Sequence, residues 1–112
     1  MAIGFERILI PTDFSVSAEY ALQFGLAVAQ RHGAAAELLH VAEPSAYAED
    51  VVDPAGDTFM ASLRARLQDL LAREDLEGGA GAGVRVVTGH AYLEILRRAQ
   101  AWPADMIVTG TH

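Results

Sequence analysis

The chain alternates short apolar runs of strand-like composition with longer segments in which apolar residues recur at helical spacing. The first run is closed by Pro11, and the segment after it ends at Gly33, a residue suited to the turn that follows a helix. Strands that alternate with helices build βαβ units, so the sequence predicts an α/β domain with a parallel sheet. We predict strands at residues 7–10, 36–41, 84–87 and 105–109, and helices at residues 17–33, 58–74 and 91–101.

The buried face of each predicted helix follows from the 3.6-residue period of its apolar side chains. Either Ser15 or Ser17 is expected to cap the start of the first helix. The residues expected to be buried are Ala18, Ala21, Leu22, Gly25, Leu26 and Ala29 in the first helix, Phe59, Leu63, Leu67, Leu70 and Leu71 in the second, and Tyr92, Ile95, Leu96 and Ala99 in the third.

Composition narrows the class of protein. The 112 residues are 52% hydrophobic, so we expect one globular domain over residues 1–112. The first residues do not resemble a signal peptide, no apolar run reaches about 18 residues, and there is no cysteine, so we expect a cytoplasmic protein without disulfides. The formal net charge of −7 disfavours binding to nucleic acid or to an anionic membrane surface.

Two connecting segments have distinctive compositions. Residues 44–57 are acidic, contain two prolines and show no clear period, so we expect a mobile loop or lid at the carboxyl edge of the sheet. Residues 78–83 are glycine-rich and resemble a phosphate cradle in composition. They precede a strand and do not join a strand to a helix, so a flexible connector is the better interpretation.

A ligand site is expected where the strand order of the sheet reverses. Right-handed crossovers carry the chain from strand 1 outward through strands 2 and 3. If strand 4 returns to the other flank of strand 1, the result is a doubly wound sheet of order 3-2-1-4, with helices on both faces and a crevice between the carboxyl ends of strands 1 and 4. Strand 2 ends nearby and forms a neighbouring wall. The residues at this crevice are Pro11, Thr12, Asp13, Val41, Thr109, Gly110, Thr111 and His112.

The residue types at the crevice suit nucleotide binding better than bond-breaking chemistry. Gly110 allows a ligand to approach the backbone, and N–H groups in such a turn can hold phosphate. Asp13 can accept hydrogen bonds from hydroxyl or amino groups, and the backbone at Val41 can read the edge of a base. Each residue also has a structural explanation, since Asp13 could begin the first helix and Gly110 could belong to an ordinary turn.

These segments resemble, in their order and spacing, the universal stress protein family. The resemblance covers nearly the whole chain, and no single segment is diagnostic by itself. It is carried by the segment 8–15 with Ser17, Ala21 and Leu22, by Leu39, His40 and Val41, by Val87, Thr88 and Gly89 with Ile95 and Ala99, and by the segment 104–112.

The resemblance implies a doubly wound fold of five parallel strands, a homodimer and, in one branch of the family, bound ATP with Mg or Mn. Carried over by position, Pro11, Thr12, Asp13 and Val41 would surround the adenosine, and Thr109 and Gly110 would flank the ribose. Gly110, Thr111 and His112 would begin the G-x-x-G phosphate loop, with His112 approaching the phosphates. The rest of that loop and the fifth strand would follow His112, so we expect the native chain to continue.

Two other functional classes fit the sequence poorly, and one alternative within the same family stays open. A phosphorelay receiver domain would need an acidic pair after strand 1, an aspartate after strand 3 and a lysine near the end, and the chain contains no lysine. A hydrolase would need a nucleophile with a base, and the sequence has no G-x-S-x-G elbow and no paired histidines with metal-ligand spacing. We therefore expect at most slow or partner-dependent ATP hydrolysis. The main alternative is a nucleotide-free dimeric interaction module of the same family.

Overall fold

A computed structural model describes residues 6–44, 56–73 and 82–110. Its four strands form one parallel sheet of order 3-2-1-4, which confirms the predicted fold class and strand order. Most of the predicted acidic loop and of the glycine-rich connector lies outside the described residues. The elements are β1 Arg7–Pro11, α1 Val16–His32, β2 Ala35–Ala42, α2 Asp57–Arg73, β3 Gly83–Thr88, α3 Ala91–Ala101 and β4 Met106–Ile107.

Helices cover both faces of the sheet, so the inner strand β1 is buried on both sides. Side chains of successive strand residues point to opposite faces, and Ile8 and Ile10 pack towards α1 and α2, whereas Leu9 packs towards α3. All three side chains are fully buried. This pattern explains why the first strand reads as a continuous apolar run and not as an alternating one.

Helix α1 has the expected ends and lies close to the sheet. Ser15 is its N-cap, with a side-chain oxygen that accepts a hydrogen bond from the Ala18 N–H at 3.2 Å, and Gly33 follows its last turn with φ of 64°. A Cβ atom on Gly25 would lie 2.7 Å from Cδ1 of Ile10. The glycine therefore allows the close approach of α1 to β1. None of the helices in the described residues is long and apolar enough to cross a membrane.

The buried face was predicted more accurately for α2 than for α3. In α2, Leu63, Leu67 and Leu70 are buried as expected, and Phe59 and Leu71 are partly buried. In α3 the prediction was wrong for two side chains, because Tyr92 is 66% exposed and Leu96 is 41% exposed. The face turned towards the sheet carries Ala91, Ile95, Ala99 and Trp102.

An ion pair lies on the same face of α3 as the apolar residues that pack on the sheet, and the spacing of apolar residues does not predict it. Glu37 on β2 is buried, and both of its carboxylate oxygens accept hydrogen bonds from Arg98 at 2.8 Å. This bidentate bond raises the pKa of Arg98, and Arg85 lies 3.3 Å from the same carboxylate. Arg98 thus faces the sheet together with the apolar residues of α3, and Tyr92 and Leu96 lie on the outer side of the helix.

Strand β4 is shorter than the predicted strand at residues 105–109. Its two residues, Met106 and Ile107, pair with Ile8 and Leu9 of β1. Asp105 precedes the ladder and is bonded through its carboxylate to the N–H groups of Arg7 and Glu6, at 2.9 and 2.7 Å, which lowers its pKa. The strand itself is therefore shorter than predicted, but backbone hydrogen bonds continue on both sides of it, from the Asp105 N–H to the Arg7 carbonyl at 2.8 Å and from the Val108 N–H to the Leu9 carbonyl at 2.9 Å.

Candidate functional site

A cleft of about 190 Å³ opens at the carboxyl edge of the sheet, between the ends of β1 and β4. Six of the eight residues predicted for the crevice line this cleft, and Thr111 and His112 lie outside the described residues. The lining residues are Pro11, Thr12, Asp13, Ala18, Leu39, Val41, Ala91, Ile95, Thr109 and Gly110. The three segments that carry the predicted residues therefore meet at the predicted place.

Four lining residues were absent from the sequence prediction: Ala18, Leu39, Ala91 and Ile95. They come from the first turn of α1, the end of β2 and the first turns of α3. A signal for them existed, because a helix that follows a parallel strand begins at the carboxyl edge of the sheet. Small apolar residues at the start of such helices leave the cleft open.

The turn after β1 is held by local hydrogen bonds. The Thr12 N–H donates to the Leu39 carbonyl at 2.8 Å, and the Thr12 hydroxyl accepts from the Phe14 N–H at 3.1 Å. One carboxylate oxygen of Asp13 accepts from the Ser15 N–H at 3.0 Å. Asp13 thus shapes the approach to α1 as well as lining the cleft, so its structural explanation is correct in part.

Phe14 adopts a backbone conformation that is unusual for a large side chain. Its φ of 66° is the only positive value among the non-glycine residues that the structure describes. Such conformations cost about 1–3 kcal/mol and persist where surrounding contacts hold them. The Phe14 ring contacts the His40 ring at 4.6 Å between centroids, and the Arg66 guanidinium carbon lies 3.9 Å from the centre of the Phe14 ring.

His40 is buried behind this turn, with 4% of its surface exposed. Its Nδ1 lies 2.8 Å from the carbonyl oxygen of Thr12. Because a carbonyl oxygen accepts and cannot donate, Nδ1 carries the proton of this hydrogen bond. Burial lowers the pKa of His40, so the imidazole is neutral at pH 7.

The β4 side of the cleft rests on the start of α1. A Cβ atom on Gly110 would lie 2.7–2.8 Å from backbone atoms of Ser17 and Ala18. On the α3 side, a carboxylate oxygen of Glu43 accepts from the Ala91 N–H at 2.8 Å. This carboxylate, which comes from the end of β2, caps α3 in place of the His90 side chain.

The cleft is mainly apolar, and Asp13 is the one charged residue among its described lining residues. Leu39, Val41 and Ile95 provide flat apolar walls, and hydroxyl and carboxylate oxygens stand at the rim. No group of acidic or histidine side chains in the described residues has the arrangement of a metal site. The arrangement can hold a flat, partly apolar ligand and accept hydrogen bonds from its polar edge.

Comparison with known protein families identifies this architecture. The sequence profile described as the Universal stress protein family matches residues 4–112. The chain belongs to the universal stress protein family. A parallel sheet of order 3-2-1-4 with helices on both faces agrees with this membership.

Solved structures share the fold over nearly the whole chain. A protein of this family from Burkholderia pseudomallei has 26% sequence identity and a TM-score of 0.72, with 96% of this chain and 82% of that chain covered. Universal stress protein UspA from Lactobacillus plantarum has 24% identity and a TM-score of 0.70, with coverages of 99% and 82%. A family protein from Arabidopsis thaliana, with AMP bound, has 17% identity and a TM-score of 0.60, with coverages of 95% and 76%. No curated protein sequence matches the chain.

Proposed function

We propose that the chain is a cytoplasmic stress-response factor that binds ATP, or a related adenine nucleotide, in the cleft between β1 and β4. The observation that carries the proposal is the convergence of Asp13, Val41 and Gly110, from three separate segments, on one cleft at the strand-order reversal. The Arabidopsis relative, which shares the fold, has AMP bound. An adenine nucleotide has the flat apolar face and polar edge that such a cleft accepts.

Each part of the cleft has a role in this proposal. The apolar walls at Leu39, Val41 and Ile95 contact the faces of the base, and Asp13 accepts hydrogen bonds from hydroxyl or amino groups. Thr109 and Gly110 lie beside the ribose. Pro11 and Thr12 close the adenosine end of the site.

The phosphates are expected to leave the cleft on the β4 side. The described lining residues include no cation, and Asp13 disfavours a phosphate on the β1 side. Thr111 and His112 follow Gly110 directly in sequence, so we propose that they approach the phosphates. Mg or Mn would then neutralise phosphate charge, with no metal ligand assigned to this chain. At most, ATP hydrolysis would be slow or dependent on a partner.

The cleft volume is compatible with an adenosine-sized part of the ligand. Pockets that hold a whole drug-sized ligand measure about 300–1,000 Å³, which exceeds the volume enclosed by the described residues. We therefore expect the nucleoside to supply most of the buried contact and the phosphates to lie nearer to solvent.

Titration calorimetry on the full-length protein tests this function. ATP, ADP and AMP are titrated with magnesium or manganese, and GTP serves as the control for base recognition. We expect saturable binding of the adenine nucleotides, and weaker binding of GTP. No heat of binding for any adenine nucleotide up to millimolar concentration would overturn the proposal.

A second candidate function is a dimeric interaction module that needs no nucleotide. An apolar surface along α1 and β4 favours it, because Tyr20 is 68% exposed and Phe24 is 60% exposed beside the half-exposed Ile107. Apolar patches of this kind are typical of protein contacts. Calorimetry separates the two candidates, since a module of this class would form the dimer and give no heat of binding with ATP.

A further inference from the structure

His40 lies on the opposite face of the sheet from the cleft but contacts the turn that forms the rim of the cleft. Its neighbours along β2, Leu39 and Val41, line the cleft. His40 itself points to the other face, as do Leu38 and Ala42, which belong to the core beneath α1 and α2. Any effect of His40 on a ligand must therefore pass through the residues that it contacts.

The ladder between β1 and β2 changes character at Thr12. Pro11 pairs with Leu39, and the Thr12 N–H makes the next ladder bond, to the Leu39 carbonyl. In a continuing parallel ladder, the Thr12 carbonyl would accept from the backbone N–H of Val41. The donor that the structure places on this carbonyl is instead Nδ1 of His40, at 2.8 Å. A side chain thus holds the backbone at the point where β1 turns away from the sheet.

The same imidazole also contacts Phe14, two residues further along the turn. The Phe14 ring is covered on another side by Arg66 of α2. Phe14 has a positive φ, and its N–H donates to the Thr12 hydroxyl. These contacts hold the Phe14 backbone in a conformation that a large side chain rarely adopts, and that conformation sets the position of Asp13 between Thr12 and Phe14.

We propose that His40 is a positioning residue, which holds the Thr12–Asp13–Phe14 turn through its hydrogen bond to the Thr12 carbonyl and thereby presents Thr12 and Asp13 to the cleft. This inference rests on the proposed nucleotide site for its effect on affinity. The effect on the turn itself does not depend on a ligand. His40 contacts Thr12 from behind but does not itself line the cleft, so its substitution alters the shape of the rim and leaves the chemical groups of the lining unchanged.

Substitutions at His40 separate the hydrogen bond from the volume of the ring. His40→Asn keeps an N–H donor near the position of Nδ1, whereas His40→Phe keeps a ring and loses the donor. We expect H40F to weaken ATP binding about 3- to 10-fold, the range that corresponds to one lost hydrogen bond, and H40N to stay nearer to the wild-type affinity. The matched control is Leu38→Ala, on the same strand and face, which should lower the melting temperature and leave affinity unchanged.

A second measurement on the ligand-free protein tests the turn directly. We expect amide hydrogen exchange at Phe14 and Ser15 to accelerate in H40F relative to the amides of α1, and to keep its wild-type ratio in H40N and in L38A. Should H40F fail to fold, His40→Gln, whose longer side chain displaces the donor, is measured by the same two criteria. If the wild type binds no adenine nucleotide, the proposed function fails, and the exchange ratio still decides the role of His40.

Two results would overturn the inference. One is an unchanged exchange ratio at Phe14 and Ser15 in H40F, which would show that the turn holds its conformation without the imidazole. The other is a loss of ATP affinity in L38A as large as that in H40F, which would show that affinity follows global stability.

Discussion

A Cβ atom on Gly110 would lie 2.7 Å from the carbonyl carbon of Ser17, inside the backbone of the first turn of α1. A contact this short with main-chain atoms cannot be relieved by the rotation of a side chain. The turn after β4 therefore requires a glycine in order to pack against α1. This packing requirement is separate from the approach of a ligand, and both act on the same residue.

Gly110→Ala should destabilise the protein, because the added methyl group must push the turn after β4 away from α1. Overpacking of this kind costs about 1–3 kcal/mol, and we expect the free energy of unfolding to fall by that order in chemical denaturation. Gly83→Ala is the control, since a Cβ at Gly83 meets no atom within 4 Å. Equal stabilities of the two variants would show that the turn moves freely.

The sequence predicts those features of the fold that follow from general rules of chain topology, and misses those that accompany one specific polar contact. The strand order and the position of the cleft were predicted from the alternation of elements, from chain handedness and from the return of strand 4 to the other flank of strand 1, and both predicted features appear in the structure. The bond between Arg98 and Glu37, which accompanies the outward orientation of Tyr92, joins residues 61 positions apart. The spacing of apolar residues carries no information about a polar contact between residues so far apart in sequence.

The candidate site shows the same division. Residues that end strands, such as Asp13 and Val41, are predictable because parallel strands bring their carboxyl ends together. The role of His40 is not predictable in this way, because it depends on a bond between a strand side chain and the carbonyl of Thr12. A histidine within an apolar strand reads as an ordinary core residue.

Asp13 is expected to contribute more to ligand binding than to folding, although it also accepts the Ser15 N–H. Asp13→Ala removes both the charge and this hydrogen bond, whereas Asp13→Asn keeps an oxygen in the Oδ1 position. A hydrogen bond to a ligand is typically worth about 0.5–1.5 kcal/mol, and more when it is charged, so D13A should weaken ATP binding several-fold or more.

The melting temperature of ligand-free D13A should change little, and that of D13N less still, because the turn bond survives in D13N. Calorimetry and thermal melting on the same samples check both expectations. A collapse of the melting temperature with preserved affinity would assign Asp13 to the structure of the turn alone.

Stability should decline as the pH falls below the ordinary histidine pKa of 6.5. Burial holds the pKa of His40 below this value, so the unfolded chain takes up a proton before the folded chain does, and unfolding becomes easier as the pH falls. The decline ends once the pH is below the folded pKa. The pKa of Asp105 also lies below its ordinary value of 3.8. Its effect on stability is therefore a further loss as the pH falls through 3.8, in a separate and more acidic range.

Chemical denaturation between pH 7.5 and pH 5 measures this dependence. His40→Asn removes the titrating group and should flatten the profile, while Leu38→Ala should lower stability by a similar amount at each pH. A slope in H40N equal to that of the wild type would assign the dependence to another residue.

We expect the 112 residues, when expressed by themselves, to cover strand β4 and the adjoining face of α1 with a second copy of the same chain, whereas a fifth strand after His112 would cover β4 within one chain. The described residues that line this surface carry no charge, so two chains of net charge −7 can meet here without close repulsion. In the described part of the chain, β4 has β1 as its one neighbour, and a strand edge of this kind favours pairing with another chain. We therefore expect a homodimer in sedimentation velocity.

Tyr20→Glu tests the surface, because a carboxylate placed there on both copies opposes contact, and this variant should sediment as a monomer. Tyr92→Glu is the matched control, since Tyr92 is an equally exposed aromatic residue on α3, away from β4, and this variant should remain dimeric. A wild-type protein that stays a monodisperse monomer at high concentration would contradict the interface. If the dimer survives in Y20E and dissociates in Y92E, the interface lies on α3 and is formed by the apolar side chains that this helix exposes.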